Sequence, residues 1–305
     1  MSSLQISLFG YIQIVHADLP DEIRLPRTVE ALLSYLLLGR HRCHSREVLA
    51  ELFWQEYESD RARNCLNTAL WRLRRALEPE GIERGTYLFT SPHGEIGFNN
   101  NSTFWLDVAV FEEVIGRLLK RPASALTEAE AQEIERVLQL YKGDLLEGLY
   151  DDWTLRERER LRQLFLDGLA HLLQYYKHQG LIEQGLTCGH RILSCDPLRE
   201  SVYREMMSLY WLNGRPIEAI RLYQICHQLL ADELSITPMA ETQALYARII
   251  ASTEPNSNTI QIPENLTTLE MALRQLQQAT QEFQLAQEKL LKAIRYVEQF
   301  TLNNR

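Results

Sequence analysis

Seventeen residues, RARNCLNTALWRLRRAL from Arg61 to Leu77, constrain the fold of this chain more than any other stretch. Leu66, Leu70, Leu73 and Leu77 recur at intervals of four, three and four, a spacing that an α-helix turns into one buried stripe. The same segment carries five arginines and no acid. It therefore predicts a helix whose underside enters a core and whose outer surface is strongly positive, with Asp60 placed to cap its start. Turning 100° per residue from Leu66 sets Arg61, Asn64, Thr68, Trp71, Arg72 and Arg75 opposite the stripe, with Arg63 and Arg74 on its flanks. Asn67, in the same run, is a further candidate. Arginine can pair with guanine O6 and N7 and asparagine with adenine N6 and N7, so this face suits the major groove of duplex DNA, while Arg63 and Arg74 suit phosphates. A solvated surface helix with Trp71 packed under a neighbouring hairpin is the plain alternative.

The flanking segments decide between these readings. Leu4 to Phe9 alternates apolar and polar residues up to Gly10, and Ile12-Gln13-Ile14 continues the alternation, predicting a small antiparallel sheet. Thr28 to Leu38 has the apolar spacing of a core-facing helix and stops at Gly39. Ser45 caps a second helix, with Val48, Leu49, Leu52 and Phe53 behind it as the apolar set. After the arginine helix, Thr86 to Thr90, Ser91-Pro92-His93-Gly94 and Glu95 to Phe98 read as strand, turn and strand. Strands, three helices and a hairpin make the order of a winged helix, and His93 at the hairpin tip is a candidate for minor-groove contact.

Beyond Asp107 the pattern becomes almost wholly helical, with helices predicted near 108–119, 128–140, 154–178, 182–193, 199–212 and 217–231. Tyr176, Gly180 and Gly185 are followed 34 positions later by Tyr210, Gly214 and Ala219, the period of the tetratricopeptide repeat. The glycines at 180 and 214 would sit in turns between paired helices, and Gly185 and Ala219 where helices approach closely. Ser252 to Glu264 has two prolines and no periodicity and reads as a linker. From there Leu266, Leu269, Leu273, Leu276, Phe283, Leu290, Ile294 and Val297, with polar Thr280 and Gln287, hold a heptad spacing that predicts a self-associating coiled coil; an amphipathic helix docked on its own repeats is the alternative.

The fold class expected is thus mainly α with a small β component: a winged helix-turn-helix domain over 1–105, a tetratricopeptide-like helical domain over 106–251, a linker over 252–264 and a coiled-coil helix over 265–305. The net charge of −9, with 11 basic against 13 acidic residues in 1–105, excludes bulk nucleic-acid binding and leaves the local positive face as the relevant feature. No stretch approaches a membrane span and no signal peptide opens the chain, so a soluble, cytoplasmic protein without membrane partners is expected. Five cysteines, Cys43, Cys65, Cys188, Cys195 and Cys226, make neither a metal-ligand spacing nor an even disulfide set. Phosphate-loop, dinucleotide, zinc-protease and serine-hydrolase motifs are absent, so no enzyme, cofactor or metal is expected.

Several separate stretches, in order, also resemble one family. They are Leu8-Phe9-Gly10, the helix after Arg27, Ala62-Arg63-Asn64-Cys65-Leu66-Asn67-Thr68 leading to Arg72-Leu73-Arg74-Arg75-Ala76-Leu77, and Leu106-Asp107 to Phe111. Tyr141-Lys142-Gly143-Asp144-Leu145-Leu146, Asp196-Pro197-Leu198-Arg199-Glu200, Gly214-Arg215 with Ala219, and Glu233-Leu234 to Pro238 follow. Over about residues 4–251 the chain resembles antibiotic-regulatory-protein (SARP)-type transcriptional activators. The resemblance implies a winged helix fused to a bacterial transcriptional activator domain (BTAD) that contacts RNA polymerase or a second protomer. It also implies Arg63, Asn64, Thr68, Trp71 and Arg72 on the recognition helix. The expected function is a sequence-specific regulator of promoter DNA, an activator acting as a homodimer on repeated half-sites. A protein–protein adaptor whose winged helix serves protein contact, or a DNA-binding repressor, are the alternatives.

Overall fold

A computed structural model describes residues 4–16 and 22–253. The heptad positions Leu266 to Val297 and the predicted linker from 254 onward lie outside the described residues, whereas Ser252 and Thr253, which the sequence assigns to the linker, are still helical. Two short strands open the chain, β1 (Leu4–Ser7) and β2 (Gln13–His16), paired antiparallel as their alternation predicts. Leu4, Ile6 and Ile14 face inward and are buried. Three helices follow: α1 (Arg27–Leu38), α2 (Arg46–Trp54) and α3 (Ser59–Leu77). Next come the hairpin strands β3 (Leu88–Thr90) and β4 (Ile96–Phe98), and then β5 (Phe104–Leu106). The last was not expected: β5 lies parallel to β1 and makes the sheet three-stranded, β2-β1-β5.

Ser45 caps α2 by accepting a hydrogen bond from the Val48 amide, as its sequence position predicts. The apolar set behind it needs correction. Leu49 is buried and Phe53 packs partly buried against the core as expected, but Val48 is 51 % and Leu52 37 % exposed, and Ala50 and Trp54 are buried in their place. Asp60 does not cap α3; the helix begins one residue earlier at Ser59, with Glu58 in the cap position and Asp60 inside the first turn. There its carboxylate still complements the helix dipole.

The helical module comprises α4 (Asp107–Leu118), α5 (Glu128–Leu138), α6 (Asp152–Gln179), α7 (Ile182–Cys195), α8 (Glu200–Leu212), α9 (Pro216–Leu234) and α10 (Ala240–Thr253). From α6 to α9 each helix packs on the next. Gly180 and Gly214 stand in the turns of the two helix pairs with φ of 70° and 68°, where a side chain would be strained. At Gly185 an added Cβ would lie 2.9 Å from Leu209 Cδ1, so a side chain there would force Leu209 to shift where α7 and α8 approach. Helix α10 was not expected either. It is held by Tyr246 stacked on Tyr223 at 3.9 Å and by Arg204 donating to Thr242 Oγ1 at 3.0 Å.

The winged helix and the helical module are joined by backbone hydrogen bonds as well as by the chain itself. Gly10 N donates to Asp144 O, Leu146 N to Leu8 O and Glu147 N to Gly10 O, all within 2.9 Å. The Tyr141–Leu146 stretch thus acts as one more strand-like partner for the end of β1. Leu146 adopts φ 52° to do so, and the Arg158 guanidinium binds the carbonyls of Leu145, Leu146 and Leu149, each at 2.9 Å. Asp107, almost fully buried, accepts from the amides of Leu8, Phe9 and Val108 at 2.7–3.0 Å. Burial raises its pKa and outweighs the opposing pull of those amides and of Lys142. An aromatic group of Tyr35 on α1, Phe53 on α2 and Trp153 on α6 completes the joint, with ring centroids 5.3–6.2 Å apart.

Candidate nucleic-acid interface

Helix α3 owes its orientation to its leucines. Ala62, Leu66, Ala69, Leu70, Leu73 and Leu77 are buried against α1 and α2. With that underside fixed, Arg61, Arg63, Asn64, Asn67, Thr68, Trp71, Arg72 and Arg75 are all exposed on the outer surface, and Arg74 is half-buried. Trp71 is 56 % exposed and is not packed under the hairpin. The Arg75 guanidinium lies 5.4 Å from its ring centroid, and Arg61 lies 4.3 Å over Tyr57. These cation–π contacts limit the freedom of both arginines without neutralising them. Arg63 has only a loose 3.8 Å ion pair with Asp60, both side chains being exposed.

The face divides into a centre and two flanks. Asn64, Thr68, Trp71 and Arg75 run along the centre. Thr68 donates its hydroxyl to Asn64 O of its own helix at 2.9 Å, which leaves its methyl and lone pairs outward. No side-chain hydrogen bond among the described residues engages the Asn64 amide. On one flank Arg61 and Arg72 line a shallow groove with Pro26 and Thr28 at the start of α1. On the other lie Arg63, Asn67 and Arg74, the last reaching Thr90 of the hairpin.

That second flank is braced. Arg74 donates to Thr90 Oγ1 at 3.1 Å. Burial, then the charge of Arg84, lowers the pKa of Arg74, though as a guanidinium it stays protonated. Arg46, at the first position of α2, donates through Nη1 to Asn67 Oδ1 at 2.8 Å and through Nε to Gly94 O at 3.1 Å. One guanidinium therefore ties α3 to the hairpin tip, where His93 is exposed beside Gly94. Glu78 fixes the other end of the hairpin by accepting from the amides of Gly85, Tyr87 and Leu88 at 2.9–3.1 Å.

Arg46 and Arg84 were not among the candidates from sequence. Each is a single cation outside the arginine helix, and nothing local marks it. Arg84 joins Arg74 and Arg75 around a recess that Asn67, Trp71 and Glu78 also line. The structure thus gathers the sequence-derived arginines on one surface and adds two more at its hairpin side. Among the described residues no group of three or more His, Cys, Asp or Glu is placed to hold a metal ion. None of the described helices is long and apolar enough to cross a membrane.

Residues 106–250 match the family model of the bacterial transcriptional activator domain, and residues 20–92 match that of the transcriptional regulatory protein C-terminal domain. The chain is 26 % identical over 230 residues to the transcriptional regulatory protein MoaR1 of Mycobacterium tuberculosis, covering 72 % of this chain and 71 % of MoaR1. It is 28 % identical over 221 residues to the regulatory protein AfsR of Streptomyces coelicolor, of which it spans only 22 %. Its fold is similar to that of Mycobacterium tuberculosis EmbR, solved in complex with a low affinity phosphopeptide, with a TM-score of 0.69 and 22 % identity over 83 % of this chain and 66 % of that one.

Proposed function

We propose that α3 reads the major groove of promoter DNA while the hairpin grips the adjacent backbone, as suits a chain that matches the winged-helix and BTAD models of the non-enzymatic SARP-type transcriptional regulators. Asn64 and Arg75, at the centre of the face, contact base edges, and Asn64 is the better adenine reader. Adenine needs both an acceptor and a donor from the amide, and Asn67 has committed its oxygen to Arg46. Trp71 and Thr68 offer apolar contact to a thymine methyl. Arg61, Arg63, Arg72, Arg74 and Arg84 bind phosphates on either side, and His93 leans toward the minor groove from the hairpin tip.

The observation that carries this reading is the outward guanidinium array on α3, held in register with the hairpin by Arg46 and Arg74. In a chain of net charge −9, acidic surface elsewhere leaves that array as the place where a polyanion is attracted. We take 1–105 as the DNA-reading module, 106–251 as the module that contacts RNA polymerase, 252–264 as a linker, and the heptads of 265–305 as the means by which two copies reach repeated half-sites in the cytoplasm. Activation, dimerisation and polymerase contact rest on this assignment. Gel shift on promoter fragments across a salt series tests it. Affinity should fall steeply with salt and collapse in the Arg72→Ala/Arg75→Ala double variant. Unchanged binding in that variant rejects the assigned face.

A further inference from the structure

A cavity of about 440 Å³ lies where the end of α1 meets the start of α6, between the two modules. That volume falls in the range of small-molecule sites. Its wall is aromatic: Tyr35 and Trp153 meet edge to face, with centroids 5.3 Å apart and planes at 82°. Leu38 extends the apolar surface. The rim is cationic. Arg42 and Arg156 both line the cavity, both are exposed, and neither is ion-paired with a carboxylate among the described residues. The acid present, Glu157, is already paired with Arg160 at 2.8 Å, and Arg160 in turn holds Glu112. His41 also lines the rim. The Trp153 indole N–H is shielded from solvent and has no acceptor among the described residues, which is uncommon for a native donor.

The same wall leads directly to the hairpin. From Arg42 the chain runs to His44, which exchanges backbone hydrogen bonds with Ile96 of β4 in both directions, at 2.9 and 2.8 Å. Ser45 then caps α2, and Arg46 holds both the hairpin tip and Asn67. Three residues thus separate the cavity rim from the brace of the DNA-facing surface.

We propose that this cavity binds a small planar aromatic anion, its ring against Tyr35 and Trp153 and its charge between Arg42 and Arg156, and that occupancy shifts the hairpin and so the affinity for DNA. The binding half stands by itself; the coupling half rests on the DNA-reading assignment above. The test uses the full chain with 2-naphthoate as probe, and neutral 2-naphthamide and inorganic phosphate for comparison. Calorimetry should give one site for 2-naphthoate. Binding should weaken by roughly tenfold in the Arg42→Gln/Arg156→Gln variant, the scale of losing charge-assisted hydrogen bonds. Both comparison compounds should bind more weakly by a similar factor. No binding at millimolar probe, or an affinity unmoved by the double substitution, overturns the site. A DNA fragment retarded by the chain should change the affinity for 2-naphthoate by the same factor as 2-naphthoate changes the affinity for DNA. A factor of one overturns the coupling and leaves the site. Failure to bind any duplex rejects the DNA reading, with the calorimetric result still readable.

Discussion

Replacing Arg46 separates a brace from a direct contact. Its guanidinium makes two hydrogen bonds, an exposed one to Asn67 Oδ1 at 2.8 Å and a partly shielded one to Gly94 O at 3.1 Å. A charge-assisted bond contributes about 1.5–3 kcal/mol when buried, and exposure reduces that to about 0.5–1 kcal/mol each. Losing both releases the hairpin tip from α3 at a cost of about 1–2 kcal/mol, which on DNA binding is roughly 5–30-fold in affinity. Arg46→Ala should show that loss in a fluorescence-anisotropy titration while the fold stays intact by circular dichroism. Arg46→Lys should behave almost the same, because an ammonium cannot span the two acceptors as a planar fork does. The salt dependence distinguishes mechanisms: a lost phosphate contact lowers the log–log slope by about 0.9, whereas a lost brace leaves it unchanged. Full affinity in Arg46→Lys together with a lowered slope in Arg46→Ala would refute the bracing role and make Arg46 a phosphate contact.

Asp107→Ala removes the acceptor for the buried amides of Leu8, Phe9 and Val108; at about 1–3 kcal/mol per unsatisfied group, unfolding free energy should drop by about 3 kcal/mol or more in urea, and a loss under about 1 kcal/mol contradicts its place in the joint. Burial, aided by the Arg42 charge, lowers the pKa of His44. Its stability contribution is therefore complete above the ordinary histidine pKa of about 6.5 and is lost as pH falls from there through the folded value. Melting temperatures between pH 7.5 and 5 should fall less in His44→Gln than in the parent, with a remainder from His171, whose pKa burial also lowers; parallel curves would exclude His44. Deleting 265–305 should halve the mass in light scattering, and equal masses with and without the tail end the coiled-coil proposal.

What was legible in the sequence is what local periodicity specifies. Leu66, Leu70, Leu73 and Leu77 define both the existence of α3 and its outward face, and Gly180 and Gly214 mark the repeat turns because a left-handed backbone selects glycine in either copy. Helix α2 misled on its exposed side: a nine-residue helix offers too few turns for periodicity to separate Val48 and Leu52 from Leu49 and Trp54. Helix α10 was missed because only Thr242 and Ile249 are fully buried in it, so it has almost no apolar stripe. Non-local pairing left no trace at all. Strand β5 has three residues whose partners lie about a hundred positions earlier. Arg46 and Arg84 gain their place at the interface only once the hairpin folds back against α3.

The joint between the modules bears on how such a protein can be controlled. Independent domains on a flexible connection move relative to one another by default, unless the interface is large and apolar. Here β5 runs straight into α4, the Leu8–Gly10 backbone is hydrogen-bonded to Asp144–Glu147, Asp107 accepts from the Leu8 and Phe9 amides, and Arg158 donates to the carbonyls of Leu145, Leu146 and Leu149. Swinging the helical module away would expose those amides and carbonyls together with the Tyr35, Phe53 and Trp153 rings, which sets a high cost on a wide hinge motion. A signal acting on this chain is therefore better transmitted by small displacements within the joint, or by changes in assembly, than by opening it. The Gly39–Arg46 segment is the part of the joint suited to such displacements, since it touches the cavity, the hairpin and α3 in turn. A disulfide locking that segment to α6 should abolish any ligand dependence of DNA binding while leaving basal affinity intact; retained ligand dependence in the locked form would place the transmission elsewhere.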